Sequence, residues 1–308
     1  MDCTHLSWDY SLKDLSSRHW PVLLYGMFVQ IPFFKLHEVF YNRRFIAALI
    51  VLNFVLVPLV VWLLTSFLPD NPSLLLGVCL VLLTPCIDYV IVFTHLGQGD
   101  ARLILATTPL LLIAQMLLLP LYLLGLLGST AVAIMSAKPF LSTFLWLIIL
   151  PLTTAVATQF WAKKRFTGRV WLGATAWLQV PMMAMVLFII VASQIDKVHN
   201  YLSVIIWAIP VYLTYILIVL FLGRAAALLF RLNRSESRTL IFSGGTRNSL
   251  VVLPLALVLP ETLRYPVAAV IVTQTIVELV AELFYVRVIP GLIVPNVIEA
   301  SDNAHKEL

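Results

Sequence analysis

The protein has 308 residues, of which 61% are hydrophobic and only 11% are charged, and its formal net charge is +5 at pH 7. Soluble domains are roughly half apolar, so this composition excludes a soluble globular protein and indicates an integral membrane protein. The basic excess lies in short loops between apolar segments, which is typical of membrane topology and not of a nucleic-acid-binding surface. Three cysteines without a secretory cleavage pattern do not indicate a disulfide framework.

Apolar runs of about 20 residues follow one another along almost the whole chain, and each can cross a hydrocarbon core of roughly 30 Å as a helix. The alternating pattern of barrel strands is absent. We therefore predict an all-α, polytopic membrane protein of about nine transmembrane helices. The predicted spans are 20–36, 45–68, 73–96, 101–127, 139–162, 171–194, 202–226, 238–259 and 265–289.

The third span contains the stretch LTPCIDYV, residues 83–90. Pro85 lacks a backbone donor and clashes with the preceding turn, so the helix is expected to unwind near mid-membrane. Asp88 places a charge there, at a cost of roughly 2.5–3.5 kcal/mol on insertion scales, which indicates pairing or function. Cys86 fits two interpretations: a small buried hydrophobe, or a soft ligand for a thiophilic species that binds reversibly through one thiol.

The loop from Gly128 to Lys138 separates the spans into a front and a back part. From this division we predict a first repeat over residues 1–127, a second repeat over 128–290 and a cytoplasmic tail over 291–308. In each part, the second span from the end is the unusual one, because it carries helix-breaking residues and a charge.

In the back part this span is RTLIFSGGTRNSLVVLPLAL, residues 238–257. Gly244 and Gly245 are poor helix residues and predict a second break. The two broken spans run in opposite directions, which is the pattern of inverted-topology repeats whose discontinuous helices cross at a substrate site. Arg247 is then expected close to Asp88. The two could form a structural ion pair or a substrate and proton site, or Arg247 could stay free to bind a carboxylate.

The last span places Gln274, Glu278 and Glu282 on one helical face, because they are spaced by four residues. Glu278 is deep enough to face the same cavity or to meet a local hydroxyl. Glu282 lies nearer the end of the span and is expected to meet water or Arg287. We predict Asp88 and Glu278 as the proton-carrying groups.

Basic residues in the loops and at the ends of the spans are divided unequally between the two faces of the membrane. If the spans alternate, one face receives fourteen and the other five. The positive-inside rule places the richer face in the cytoplasm, which predicts a multi-pass cell-membrane protein with its N-terminus outside and its C-terminus inside. The fourteen are Lys35, Arg43, Arg44, Arg102, Lys163, Lys164, Arg165, Arg169, Arg224, Arg231, Arg234, Arg238, Arg287 and Lys306; the five are Lys13, Arg18, Lys138, Lys197 and Arg264.

The run CIDYVIVFTHLGQGD, residues 86–100, resembles the fourth-helix segment of the arsenite efflux carriers, the arsenical-resistance branch of the bile acid/sodium symporter superfamily. The resemblance extends from about Tyr25 to Pro290. Three further segments carry it: FIAALIVLNFVLVPLV (45–60), GGTRNSLVVLPLAL (244–257) and TIVELVAELFYV (275–286).

The resemblance implies two inverted five-helix repeats, a core and a panel domain, and passage of substrate between them. This chain then lacks the first helix, as nine-span members of the family do; a misassigned start codon would look the same. Cys86 corresponds to the metalloid-contacting thiol and Asn248 to the crossover asparagine. The glutamate that follows this asparagine in the arsenite carriers is Val251 in this chain, so Asp88 would have to supply the acid.

Sodium-coupled members carry a glutamate and a glutamine in the same crossover, and those positions fall on Ser243 and Arg247. A fixed cation at a sodium site argues against sodium coupling. The preferred hypothesis is therefore a secondary active transporter that exports arsenite or antimonite in exchange for protons. The alternative is a carrier of small organic anions with Arg247 as the carboxylate anchor.

Other classes of function have less support in the sequence. A receptor or structural role would require a soluble signalling domain or a long tail. Neither a His-Glu-x-x-His run nor a phosphate loop of the Gly-x-x-x-x-Gly-Lys type occurs, so no enzyme and no cofactor are predicted. The expected partners are the metalloid or small-molecule substrate, protons and membrane lipid, without nucleic acid.

Overall fold

The computed structural model describes residues 42–134, 149–175, 201–257 and 259–295, together with Tyr25, Gly26, Phe28, Val29 and Ile31. Within these residues the chain forms helices and connections, with no β-strand and one isolated antiparallel bridge. The predicted all-α class is confirmed for this part of the chain. Much of the predicted spans 20–36, 139–162 and 171–194 lies outside the described residues, so the count of nine and the repeat boundaries stay predictions.

Helices account for most of the described residues. In chain order they are α1 (Arg43–Val51), a π-helical segment (Leu52–Leu56), α2 (Val57–Thr65), α3 (Pro72–Leu82), α4 (Val90–Leu96), α5 (Ala101–Ile134), α6 (Leu150–Lys164), α7 (Leu202–Leu229), α8 (Arg234–Gly245), α9 (Ser249–Leu257), α10 (Glu261–Val288) and a second π-helical segment (Ile289–Ile293). Residues 166–175 are also helical.

Four continuous stretches are long and apolar enough to cross a membrane: Arg43–Thr65, Ala101–Gly128, Leu202–Leu229 and Glu261–Ile293. They agree with the predicted spans 45–68, 101–127, 202–226 and 265–289 to within several residues. Their outer faces keep large apolar side chains exposed, as expected for helices that contact lipid. Examples are Leu59, Trp62, Leu117, Leu217, Phe221 and Phe284.

The predicted spans 73–96 and 238–259 are each divided into two half-helices, as the sequence predicts. The first is interrupted at residues 83–89, between α3 and α4, and the second at residues 246–248, between α8 and α9. The first interruption contains Pro85, which cannot donate a backbone hydrogen bond.

One detail of the second prediction is wrong, because Gly244 and Gly245 do not form the break. Both lie in the last turn of α8, and the break begins after them at Thr246. A methyl group on Gly244 would lie 2.8 Å from side-chain atoms of Leu52 and Val219, and one on Gly245 would lie 2.7 Å from the Tyr285 ring. These glycines therefore permit close helix packing, as small residues commonly do inside membranes.

The long helix α10 holds the half-helices in place. It packs along α3, α7 and α9, and α7 also packs against α8. The outer ends of two half-helices are fixed by asparagine caps: Asn71 accepts hydrogen bonds from the first turn of α3, and Asn233 forms a capping box with Glu236 at the start of α8. Both interruptions thus lie inside the protein, against α10.

Candidate functional site

The two interruptions meet, and we call residues 83–89 and 246–248 together the crossing. Pro85 and Arg247 form an antiparallel bridge. The backbone N–H of Cys86 donates to the carbonyl of Thr246 at 3.2 Å, and the N–H of Asn248 donates to the carbonyl of Thr84 at 2.8 Å. Unwound backbone at this depth must find its partners within the protein, and each break supplies them to the other.

Arg247 is fully buried, with 0% of its surface exposed, and its guanidinium donates to four oxygen atoms. We call these four atoms the oxygen cage. They are the backbone oxygens of Leu82 (3.3 Å), Ser243 (3.0 Å) and Gly244, and the side-chain oxygen of Asn53 (2.9 Å). The guanidinium carbon also lies 5.6 Å from the centre of the Tyr215 ring, within range of a cation–π contact.

The position of the oxygen cage explains how a charge is tolerated at this depth. Leu82 is the last residue of α3, and Ser243 and Gly244 lie in the last turn of α8. Carbonyls at helix ends lack intrahelical partners, and helix C-termini carry partial negative charge. The guanidinium of Arg247 therefore neutralises two helix ends at once.

Glu278 of α10 connects the crossing to the long helix. One of its oxygens accepts a hydrogen bond from the Tyr89 hydroxyl at 2.8 Å, and the other accepts from the backbone N–H of Arg247 at 2.9 Å and from the Gln274 side chain. The Tyr89 hydroxyl also lies 2.7 Å from the carbonyl of Arg247. Glu278 thus faces the crossing, and its carboxyl group holds both interruptions in register.

The expected ion pair between Asp88 and Arg247 is not formed, which corrects that prediction. The guanidinium is engaged by the oxygen cage, and no nitrogen of Arg247 lies within ion-pair distance of the Asp88 carboxylate. Asp88 is 9% exposed, and its Oδ2 atom has no hydrogen-bond partner among the described residues. A buried polar atom without a partner is rare in native structures and calls for an explanation such as a ligand.

Asn248 and Ser249, at the other side of the crossing, also present unpartnered polar atoms. The side-chain oxygen of Asn248 accepts a hydrogen bond from the N–H of Val251 at 3.2 Å and so caps α9, while its Nδ2 atom has no partner in the described structure. The Ser249 hydroxyl lies close to the Tyr89 hydroxyl but makes no hydrogen bond of full geometry among the described residues. We call Cys86, Asp88, Asn248 and Ser249 together the Asp88 cluster.

Cys86 is buried and has a free thiol. Its sulfur is approached by the backbone N–H groups of Asp88 and Val90, at the start of α4. This contact anchors the thiol within the first segment of the crossing, next to the Asp88 carboxyl group. The described residues contain no set of three or more His, Cys, Asp or Glu side chains that could hold a metal ion.

Glu282 is located differently from its prediction. Only 1% of its surface is exposed, so it does not meet water, and it forms no ion pair with the exposed Arg287. Its Oε2 atom has no hydrogen-bond partner among the described residues. The sequence placed Glu282 near the end of the span, but the π-helical turn from Ile289 to Ile293 extends α10 beyond the predicted end.

Sequence reasoning missed several residues of the site, because their types are common in membrane helices. Asn53, Tyr89 and Tyr215 each bond to Arg247, to Glu278 or to the neighbouring backbone. Ser243, named from the resemblance as a position equivalent to a sodium ligand, accepts a hydrogen bond from Asn53. Tyr89 was the residue most open to prediction from the sequence, since it follows Asp88 directly in the broken span. Asn53 lies a whole helix away, and nothing in the sequence connects it to Arg247.

A comparison with protein families gives one match, to the model described as the sodium bile acid symporter family, over residues 21–201. This match covers more than half of the chain. The protein belongs to the sodium bile acid symporter family. The predicted superfamily is thereby confirmed, and with the four long apolar helices it indicates a multi-pass membrane transporter. The match includes the first segment of the crossing and ends before the second. No curated protein matches the chain.

Proposed function

We propose that this member of the family is a secondary active transporter that exports trivalent arsenic or antimony oxyacids in exchange for protons, without sodium. The observation that carries the proposal is the Asp88 cluster, in which a buried thiol interacts electrostatically with the Asp88 carboxyl group and three polar atoms of the cluster lack a full hydrogen bond. Those atoms are Oδ2 of Asp88, Nδ2 of Asn248 and the hydroxyl of Ser249.

The chemistry of this cluster fits a small, uncharged, hydroxylated substrate. Arsenous acid is neutral at physiological pH and offers hydroxyl groups that both donate and accept hydrogen bonds. The carboxyl, amide and hydroxyl groups of the cluster match them in type. Trivalent arsenic also binds sulfur, and contact with the single thiol of Cys86 is reversible enough to allow release.

The oxygen cage supports the absence of sodium coupling. Alkali cations bind to sets of oxygen atoms, and the four oxygens of the cage are already occupied by the guanidinium of Arg247. A permanently attached cation performs the electrostatic function of a mobile one, so binding of substrate needs no sodium ion.

The organic-anion alternative relies on Arg247 as a carboxylate anchor, and the geometry does not favour it. A bidentate carboxylate contact requires a free edge of the guanidinium. Both terminal nitrogens of Arg247 already donate to oxygens of the cage, which leaves only Nε without a partner in the described structure, and the side chain is fully buried. An anionic substrate would therefore have to displace these partners and would meet the carboxyl group of Asp88 nearby.

Proton coupling is assigned to Asp88, in the crossing, and to Glu278, which faces the crossing from α10. Glu278 reaches the Tyr89 hydroxyl, and Tyr89 is the neighbour of Asp88 in the chain. Protonation of Asp88 removes a charge from the substrate cluster, whereas ionisation restores it, so proton and substrate occupancy are linked. This arrangement supplies the acid that the arsenite carriers have at the position of Val251.

The test compares the two described cysteines of the broken span in an arsenite-sensitive bacterial strain. Cys86→Ala is expected to abolish resistance, and Cys79→Ala is expected to retain it, because both thiols are buried but only Cys86 lies in the crossing. Membrane levels of both variants are measured by immunoblot. Full resistance with Cys86→Ala, or no resistance with the wild-type protein, would contradict the proposal.

A further inference from the structure

Glu282 is a buried acid that the transport scheme does not yet use. It lies on α10, four residues after Glu278, with 1% of its surface exposed and its Oε2 atom without a partner in the described structure. Gly245 packs against it, since a methyl group there would lie 3.4 Å from Oε1 of Glu282. The carboxyl group therefore points towards the end of α8, just before the crossing.

The groups around Glu282 do not provide a counter-charge. On α10 it faces Glu278 and Tyr285, and α8 contributes Gly245; Tyr215 of α7 lies on the far side, near Tyr285. The Tyr285 hydroxyl donates to the carbonyl of Ile216 at 2.5 Å, and the Tyr215 hydroxyl donates to the carbonyl of Gly244 at 2.9 Å. The buried guanidinium of Arg247, at the crossing, is held by the oxygen cage.

The spacing of the two glutamates decides how their charges interact. Side chains four residues apart on a helix have Cβ atoms about 5–6 Å apart. Two carboxylates at that separation in a buried environment disfavour simultaneous ionisation. Glu278 has three hydrogen-bond donors that stabilise its charged form, whereas the structure shows none for Glu282. The proton of the pair therefore belongs to Glu282.

We propose that Glu282 holds a proton in the resting protein and exchanges it with Glu278, so that the two carboxyl groups form a proton relay along α10 to the crossing. The transfer is balanced: the O–H bond of Glu282 breaks as one forms on Glu278, and the negative charge moves one helical turn in return. From Glu278 the hydrogen-bonded path reaches the Tyr89 hydroxyl at the crossing. The relay rests on the proton coupling proposed above and adds its entry residue.

Infrared spectroscopy of the full chain in lipid vesicles tests the protonation state without any substrate. A protonated carboxyl group gives a carbonyl band that shifts in heavy water. Glu282→Gln is expected to remove such a band at neutral pH, whereas Glu261→Gln, which changes an exposed acid on the same helix, is expected to leave it. An unchanged spectrum for Glu282→Gln would overturn the proposal.

A second arm tests whether the two glutamates communicate. Glu278→Gln, or Glu278→Asp if the first variant does not fold, is expected to change the frequency of the Glu282 band, because the two groups exchange a proton. A band that is identical in these variants and in the wild type would show that Glu282 is an isolated buried acid and would overturn the relay.

The transport arm separates this inference from the proposed function. In everted membrane vesicles with a proton gradient, Glu282→Gln is expected to slow arsenite uptake at least tenfold, with partial recovery in Glu282→Asp and no change in Glu261→Gln. Normal proton-driven uptake in Glu282→Gln would overturn the relay. If the wild-type protein moves no arsenite, the proposed function fails, and the infrared arms still decide the state of Glu282.

Discussion

The crossing contains two clusters of polar residues that differ in how completely they are bonded. In the Arg247 cluster, formed by Arg247, Asn53 and Glu278, both terminal guanidinium nitrogens bond to the oxygen cage and the backbone N–H bonds to the Glu278 carboxylate. Of the Arg247 nitrogens, Nε alone has no partner in the described structure. In the Asp88 cluster, three side chains each present an unpartnered atom. A bonded buried network fixes one structure, whereas unpartnered polar atoms are costly unless a ligand satisfies them. We therefore propose that the Arg247 cluster holds the fold and that the Asp88 cluster meets the substrate.

The largest expected effect is that of Arg247→Ala. This substitution leaves the oxygen cage unsatisfied and Glu278 without its neighbouring positive charge, which is expected to lower the free energy of unfolding by about 3–5 kcal/mol. Chemical unfolding in detergent measures the loss. Arg247→Lys keeps the charge but lacks the planar fork of the guanidinium, and it is expected to lower the free energy of unfolding by a smaller amount. An Arg247→Ala protein as stable as the wild type would remove the structural role of this cluster.

Close packing beside the cage gives the next largest effect. Gly244→Ala places a methyl group 2.8 Å from both Leu52 and Val219, and overpacking of this kind costs about 1–3 kcal/mol. The matched control is Gly125→Ala in α5, where no atom lies within 4 Å of the added methyl group. The control is expected to be neutral or stabilising, because alanine is the better helix former. Equal effects at both positions would contradict tight packing at the crossing.

Removal of the Tyr89 hydroxyl tests the bond that joins Glu278 to the first interruption. Tyr89→Phe is expected to lower the free energy of unfolding by about 1.5 kcal/mol, since the lost bond goes to a charged group. Tyr122→Phe is the control, because that hydroxyl bonds to the neutral carbonyl of Phe54. A loss for Tyr122→Phe that exceeds the loss for Tyr89→Phe would show that Glu278 is not ionised in this contact.

The smallest effect on stability is expected in the Asp88 cluster. Asp88→Asn keeps the shape and removes a carboxylate that lacks a partner, so the free energy of unfolding should change by less than about 1 kcal/mol. Proton-driven arsenite uptake by vesicles should nevertheless be lost, because the variant has no proton to exchange there. Strong destabilisation together with intact uptake would show that the Asp88 cluster stabilises the fold and does not bind the substrate.

Several features were predictable because they follow from local chemistry. Pro85 cannot continue an α-helix, so the position of the first break could be inferred from one residue. The depth and opposite direction of the two broken spans pointed to their meeting, and a position of Glu278 facing the same cavity was one of two alternatives. Cys86 and Asn248 were found from a resemblance to family motifs, which also led to the superfamily that the family match supports.

Other features depended on the three-dimensional arrangement. Pairing Asp88 with Arg247 considered side-chain charges alone, whereas the guanidinium binds carbonyl oxygens at the ends of α3 and α8. Those oxygens exist as free acceptors only because the helices end there, and a sequence does not display them. Gly245 was interpreted as a helix breaker because its role in packing depends on Tyr285, forty residues later.

The most direct test of the division between the two clusters is the melting temperature of the purified protein with arsenite, in sodium and in potassium buffer. A ligand of the native state raises this temperature by mass action. The expected result is an equal rise in both buffers, lost in Cys86→Ala and kept in Cys79→Ala. A rise that requires sodium, or no rise in the wild-type protein at saturating arsenite, would contradict the roles assigned to Arg247 and to the Asp88 cluster.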